Sequence, residues 1–276
     1  AEPSVTQTMD DIVTRLYATM DPEELVRIDH ASAAKFMTDE ERKVLATKYW
    51  YFDVNVPVVV SVMRNTDQQV VPFWLPEAGF TKTDLVVTNS ENWGYEVWRK
   101  EFDTGRVELG INGFGKHRTH YFVTVGPRNE GDVVEISNLF PERYSVGMMR
   151  KGAFFYNDWS ELVVQDMPRS LRGHKLLTTA RGRAREAHLV DGFRQTAWPS
   201  TKEPTQVILT WSDDPKTSQT VQWRTSTDVA DGVVQYKEKG SVGDYLETAA
   251  SHERIENRLL ANDRYCHRHT AVLRGL

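Results

Sequence analysis

The chain has 276 residues, with 34 Lys and Arg against 39 Asp and Glu, for a formal net charge of −5. That length supports two domains and a sizeable core, while the mild acidity argues against a nucleic-acid binder, which would carry a basic excess. No apolar run approaches the ~20 residues of a membrane-spanning helix, and the single cysteine, Cys266, permits no internal disulfide. The opening Ala1-Glu2-Pro3-Ser4 has neither Met nor a charged-then-apolar leader. It fits the mature terminus left by a signal peptidase, so a periplasmic or extracellular location is expected; a proteolytic or engineered boundary has the same look.

Residues 5–48 are expected to form a helical N-terminal segment (domain span 1–48). Met9, Ile12, Val13, Leu16, Tyr17 and Met20 recur at the spacing of one helix face. Asp21-Pro22-Glu23-Glu24 restarts a helix, with a capping Asp and proline at the first helical position. Thr38-Asp39-Glu40-Glu41 has the form of a capping box ahead of Val44 and Leu45.

From Tyr49 the period becomes two. Phe52, Val54, Val56, Val58, Val60 and Val62 predict one long strand with a single buried face, placed at an edge or bulged at Pro57, which cannot donate to a ladder. Further strands are expected over 70–75, 95–102, 106–111, 121–125, 133–137 and 161–165, separated by turn clusters. The fold class is therefore mostly β with a helical N-terminal segment. A sandwich-like middle domain spans 49–197, and its role is not readable from the sequence. Trp198-Pro199-Ser200-Thr201-Lys202-Glu203-Pro204 reads as a linker, two prolines among small polar residues.

Several patterns in this region invite chemistry. Phe73, Trp74, Trp93, Tyr95 and Trp98 could stack on a sugar, although alternating core aromatics explain them more simply. Gly110-Ile111-Asn112-Gly113-Phe114-Gly115-Lys116 fits neither phosphate-loop spacing and is expected to be a β-hairpin turn. His117 and His120 fall on opposite faces of any strand. Arg169, Arg172, Lys175, Arg181, Arg183 and Arg185 form a basic strip without an acid, suited to a polyanion or partner contact. A solvated surface, or pairing with the acidic N-terminal helices, accounts for the same strip.

Beyond Pro204 short alternating strands and turns suggest a small immunoglobulin-like sandwich. Pro204-Thr205-Gln206-Val207, Thr220-Val221-Gln222-Trp223-Arg224-Thr225, Gly232-Val233-Val234-Gln235-Tyr236 and His269-Thr270-Ala271-Val272-Leu273-Arg274-Gly275-Leu276 follow in order. Together they resemble the fibronectin-type-III-like N-terminal domain of purple acid phosphatases. The resemblance covers 204–276 and implies a sandwich over 205–276 that relatives complete with a further Tyr-rich strand, so truncation at Leu276 is expected.

It also implies a downstream catalytic domain holding a dinuclear metal centre through GD-x-G, GD-x-x-Y, GNH and GH-x-H motifs. None of these stands here: Gly243-Asp244 is followed directly by Tyr245, and no Asn-His pair occurs. Cys266-His267-Arg268-His269 only approximates GH-x-H; in a strand His267 and His269 share one face, which could be half a metal site or simply strand residues. No catalytic residue, metal ligand or cofactor is therefore expected within the chain itself. The expected function is a non-catalytic N-terminal region of a purple-acid-phosphatase-like, metal-dependent phosphoester hydrolase. Its partners are its own catalytic domain beyond Leu276 and, further, a homo-oligomer. The alternative is an extracellular binding or adhesion module of two β-sandwiches.

Overall fold

The computed structural model describes residues 3–116, 120–142, 145–157, 161–180 and 186–276. The chain is mostly β with a helical N-terminal segment and several sheets in a sandwich-like arrangement. It divides into two units, 1–19 with 27–192, and 20–26 with 193–276.

The first unit opens with α1 (Val5–Thr19), whose buried face is Val5, Met9, Ile12, Val13 and Leu16, as the spacing predicts. The short α2 (Pro22–Val26) belongs to the second unit. In α3 (His30–Phe36) Asp29 caps Ser32 N. Thr38 and Glu41 close the expected capping box on α4 (Asp39–Thr47). Arg15 of α1 grips the Glu41 carboxylate with both terminal nitrogens, at 2.6 and 2.7 Å.

The expected long strand is in fact two. β1 (Trp50–Val54) lies in a three-stranded sheet, and β2 (Val58–Asn65) in the middle of a nine-stranded one. Pro57 interrupts the ladder between sheets instead of marking an edge. Asn55 takes over the pairing with its side chain, donating to Val133 O at 3.0 Å and accepting from Glu135 N at 2.7 Å. β2 is buried on both faces, not one, because Met63 packs into one core while Val58, Val60 and Val62 are buried on the opposite side.

The predicted strand over 70–75 is also corrected. Arg64 donates to Gln68 O and Val70 O, pinning a loop that leads into α5 (Trp74–Glu77). Next come β3 (Thr81–Asn89), β4 (Gly94–Phe102), β5 (Gly105–Leu109), β6 (Phe122–Pro127), β7 (Ile136–Phe140) and β8 (Val146–Met148). The unit finishes with β9 (Phe154–Asn157), β10 (Glu161–Asp166), β11 (Lys175–Leu177) and β12 (Thr179–Ala180). The three-stranded sheet has order β5-β1-β7, and the larger sheet β12-β9-β10-β3-β4-β2-β6-β11-β8.

Two-residue alternation divides the large sheet's faces. Met63, Val97 and Phe122 look into a core shared with Met149, Phe155, Leu162 and Leu176. Val58, Val60, Val62, Val123 and Val125 look the other way and are also buried. The segment after β5 joins the aromatic packing, with Trp74 Nε1 donating to Ile111 O and Tyr121 Oη to Gly110 O.

The second unit contains β13 (Thr205–Thr210), β14 (Ser218–Thr225), β15 (Val233–Tyr236), β16 (Leu246–Ala249), β17 (Ser251–Glu256) and β18 (Tyr265–Arg274). Its sheets are β13-β14-β18-β17 and the pair β15-β16, all antiparallel. Val221, Trp223, Ala271 and Leu273 form the core, against Val234, Tyr236 and Ala250. Trp223 is 7% exposed and Trp211 66%, the order expected from Trp223's mid-strand position. The stretch around Ser200 is tied down: Ser200 N donates to Asp263 at 3.0 Å, and Arg224 reaches both Asp263 and Trp198 O.

Candidate functional site

Half of the basic strip lies within the described residues. Arg169 sits in a 3-10 turn, Arg172 is exposed just after it, and Lys175 opens β11. Arg181, Arg183 and Arg185 lie outside the described residues. Arg172 and Lys175 line one open cleft of about 420 Å³, together with Asp132, Val133 and His174; Arg169 does not line it. None of Arg169, Arg172 and Lys175 forms an ion pair with a described carboxylate. Of the acids of the N-terminal helices, Glu41 is engaged by Arg15.

Sequence reasoning missed His174, which sits between those two cations. Its ring lies over Gly126 of the adjoining strand, where any Cβ would collide with it. Burial, then the charge of Arg99, holds this imidazole below its ordinary pKa. The signal was weak, since the ring's seat depends on a glycine 48 residues upstream.

The aromatic residues do not make a platform. Trp74 and Tyr95 are core side chains, and Phe73 stacks on Phe114 at 6.2 Å. Trp98 Nε1 donates to Glu96 at 2.9 Å, while Trp93 packs on the sheet core. The glycine-rich stretch 110–116 is not a hairpin turn: β5 before it pairs with β1, whereas β6 after it pairs with β2 and β11. Gly110 is needed because the Trp74 indole presses on its backbone. His117 lies outside the described residues, and His120 is a buried ring stacked on Tyr49 at 5.1 Å.

In the second unit His267 and His269 do share the inner face of β18, and Cys266 is buried on the other. The antiparallel register of β17 adds His252 opposite His269, which single-strand periodicity could not show. His252 and His267 rings are 4.5 Å apart between centroids. His267 Nδ1 donates to Val229 O, and Thr225 Oγ1, already donating to Ser226 O, accepts from His269 Nε2. Burial, with the neighbouring His252 and His267, depresses the His269 pKa. Among the described residues no group of three or more His, Cys, Asp or Glu is arranged to hold a metal ion.

The four segments that carry the resemblance in the sequence fall in β13, β14, β15 and β18 of this unit and their flanks. Residues 204–276 match the model of the purple acid phosphatase N-terminal domain. The segment similar to that N-terminal domain comprises β13 to β18, with Trp223 and His269 at its centre. No curated protein and no solved structure matches the chain.

Proposed function

We propose that this chain is an N-terminal region of a purple-acid-phosphatase-like phosphoester hydrolase, and that its phosphatase-like domain scaffolds a catalytic domain carried by polypeptide beyond Leu276. The family match over 204–276 is the observation that supports this reading. The hydrolytic metals would belong to that other domain, and the role of this chain is packing and positioning. Export from the cytoplasm is part of the same proposal. A partner-binding role is the second reading, favoured by one observation: Val207, Leu209 and Trp211 of the β13 side of the sheet are 61%, 66% and 66% exposed.

The experiment is an assay of purified 1–276 with a chromogenic phosphate monoester and divalent or ferric metal. The expected result is no turnover, with activity appearing when the natural downstream sequence is present. Metal-dependent turnover by 1–276 that survives repurification overturns the proposal. So does a downstream sequence that lacks metal-ligand motifs.

A further inference from the structure

β17 is the outermost strand of its sheet, held to β18 by a ladder that runs from Ser251–Thr270 to Glu256–Tyr265. On the face turned to Trp223 that ladder sets three imidazoles against one another. His252 of β17 stands directly opposite His269, and alternation puts His267 on the same face. Ring centroids are 4.5 Å apart for His252 and His267, 5.8 Å for His252 and His269, and 6.2 Å for His267 and His269.

The three seats differ. His269 is fully buried, with Nε2 on Thr225 Oγ1 and an Nδ1 that has no partner. A second ring proton there would enter a dry seat beside Gly232, with no acceptor to receive it. His267 is half-buried and uses Nδ1 on Val229 O. His252 is exposed and touches the other two rings.

Charged groups stand on most of the elements packed around the cluster. Arg254, opposite His267 on the same face, adds a permanent cation and lies over the Tyr265 ring at 4.5 Å. Glu256, on that face too, is bonded by Arg264 at 2.9 Å. Glu247 of β16 takes Gln235 Nε2 at 2.7 Å. Asp228 and Asp231, in the loop that carries Val229 and Gly232, are exposed, so solvent and salt screen them. β14 meets the cluster with the neutral Trp223 and Thr225. The Glu253–Arg268 ion pair lies on the opposite face of the sheet.

We propose that His252, His267 and His269 form an acid-sensitive latch that releases β17 from β18. Histidine gains its charge as pH falls from about 8 to 5. Like charges opposite one another on neighbouring strands are destabilising, and here the repulsion falls across the β17–β18 seam. β17 is the strand that yields. β18 is also paired with β14 from Ser218–Arg274 to Thr225–His267, whereas β17 has only its ladder to β18 within the sheet. The burial that depresses the His269 pKa acts in the same direction, since the closed cluster resists protons that the released strand accepts. Release bares the β18 edge, a row of backbone donors and acceptors open to another strand. The latch lies within the second unit and works whether or not a hydrolytic domain follows.

The test measures amide hydrogen exchange in the whole chain at pH 7.5 and 5.5, corrected for intrinsic rates, with the β14 amides as internal reference. Both pH values lie above the ordinary carboxylate pKa of about 4. Protection of the β17 amides should fall at least tenfold on acidification, while β14 keeps its own. His252→Gln removes a titrating ring from an exposed position and should abolish most of that fall. In the same variant, NMR titration should show the His269 pKa moving upward. An equal fall in β14 and β17 means global unfolding and overturns the proposal. So does β17 protection that is the same at the two pH values, or a fall of wild-type size in His252→Gln.

Discussion

The indole of Trp223 and the imidazole of His269 lie face to face, with planes 6° apart and centroids 5.2 Å apart. Gly232 closes over both, since a Cβ there would stand 2.6 Å from Trp223 Cζ2 and 3.2 Å from His269 Nδ1. These three residues pack the centre of the second unit. Trp223→Ala should therefore cost about 3–5 kcal/mol, the usual range for removing a buried aromatic ring. Urea denaturation of wild type and variant measures it. A loss below about 1 kcal/mol would show that the stack is not a packing centre.

Stability should fall as the solution is acidified below about pH 6.5. His174 and His269 are both held below the ordinary histidine value of 6.5, chiefly by burial. The folded state then binds protons more weakly than the unfolded chain. The full stability is present above that pH and declines as pH falls toward the depressed folded values. Thermal midpoints between pH 5 and 8 should show this slope, and His269→Gln should flatten part of it. A midpoint independent of pH across that range contradicts the assignment.

Arg64 and Glu96 form an ion pair with side-chain exposures of 1% and 16%, and Lys82 joins Glu96 at 2.6 Å. Removing one partner of a buried pair leaves an uncompensated charge, which costs about 3–5 kcal/mol. Glu96→Gln should lie at the lower end, because Arg64 keeps its bonds to Gln68 O and Val70 O. The double variant Arg64→Met/Glu96→Leu should recover much of the loss. Chemical denaturation of Arg64→Met, Glu96→Leu and the double variant gives the comparison, and strict additivity would argue against coupling.

Thr38→Ala should cost about 1 kcal/mol by opening the capping box of α4. Its hydroxyl accepts from Glu41 N at 3.2 Å, while Glu41 bonds back to Thr38 N at 2.9 Å. Glu41 also holds Arg15, so Thr38→Ser should retain both links. Equal loss in the Ala and Ser variants would separate the effect from the cap.

Local rules made the helices legible: the α1 stripe, the Pro22 restart and the Thr38 box each act within one turn of chain. They also made β4, β14 and β18 legible, since buried and less buried residues largely alternate along them, while β6 was legible as an apolar run buried on both faces. β3 escaped because its register shifts between Lys82 and Val86, where Thr83 Oγ1 accepts from Leu85 N and donates to Val97 O. The even-numbered Val run concealed the change of sheet at Pro57, because both strands place valines with the same parity. Arg172 and Lys175 could be singled out from composition alone. His174 could not, since only cross-strand neighbourhood sets its ring against Gly126.

The handover of chain at Asn55–Pro57 has a consequence for how the first unit is assembled. Trp50 of β1 finds its mate only at Leu109 of β5, and Tyr51 its other mate at Phe140 of β7. β3 and β4, by contrast, meet through the tight turn between Asn89 and Gly94. During synthesis β1 therefore leaves the ribosome with no strand to receive it, and it waits until far more of the chain has been made. Contacts so distant in sequence close slowly. The small sheet is thus a late step in folding, and until it forms the aromatic surface of Trp50 and Phe52 is exposed to whatever lies nearby.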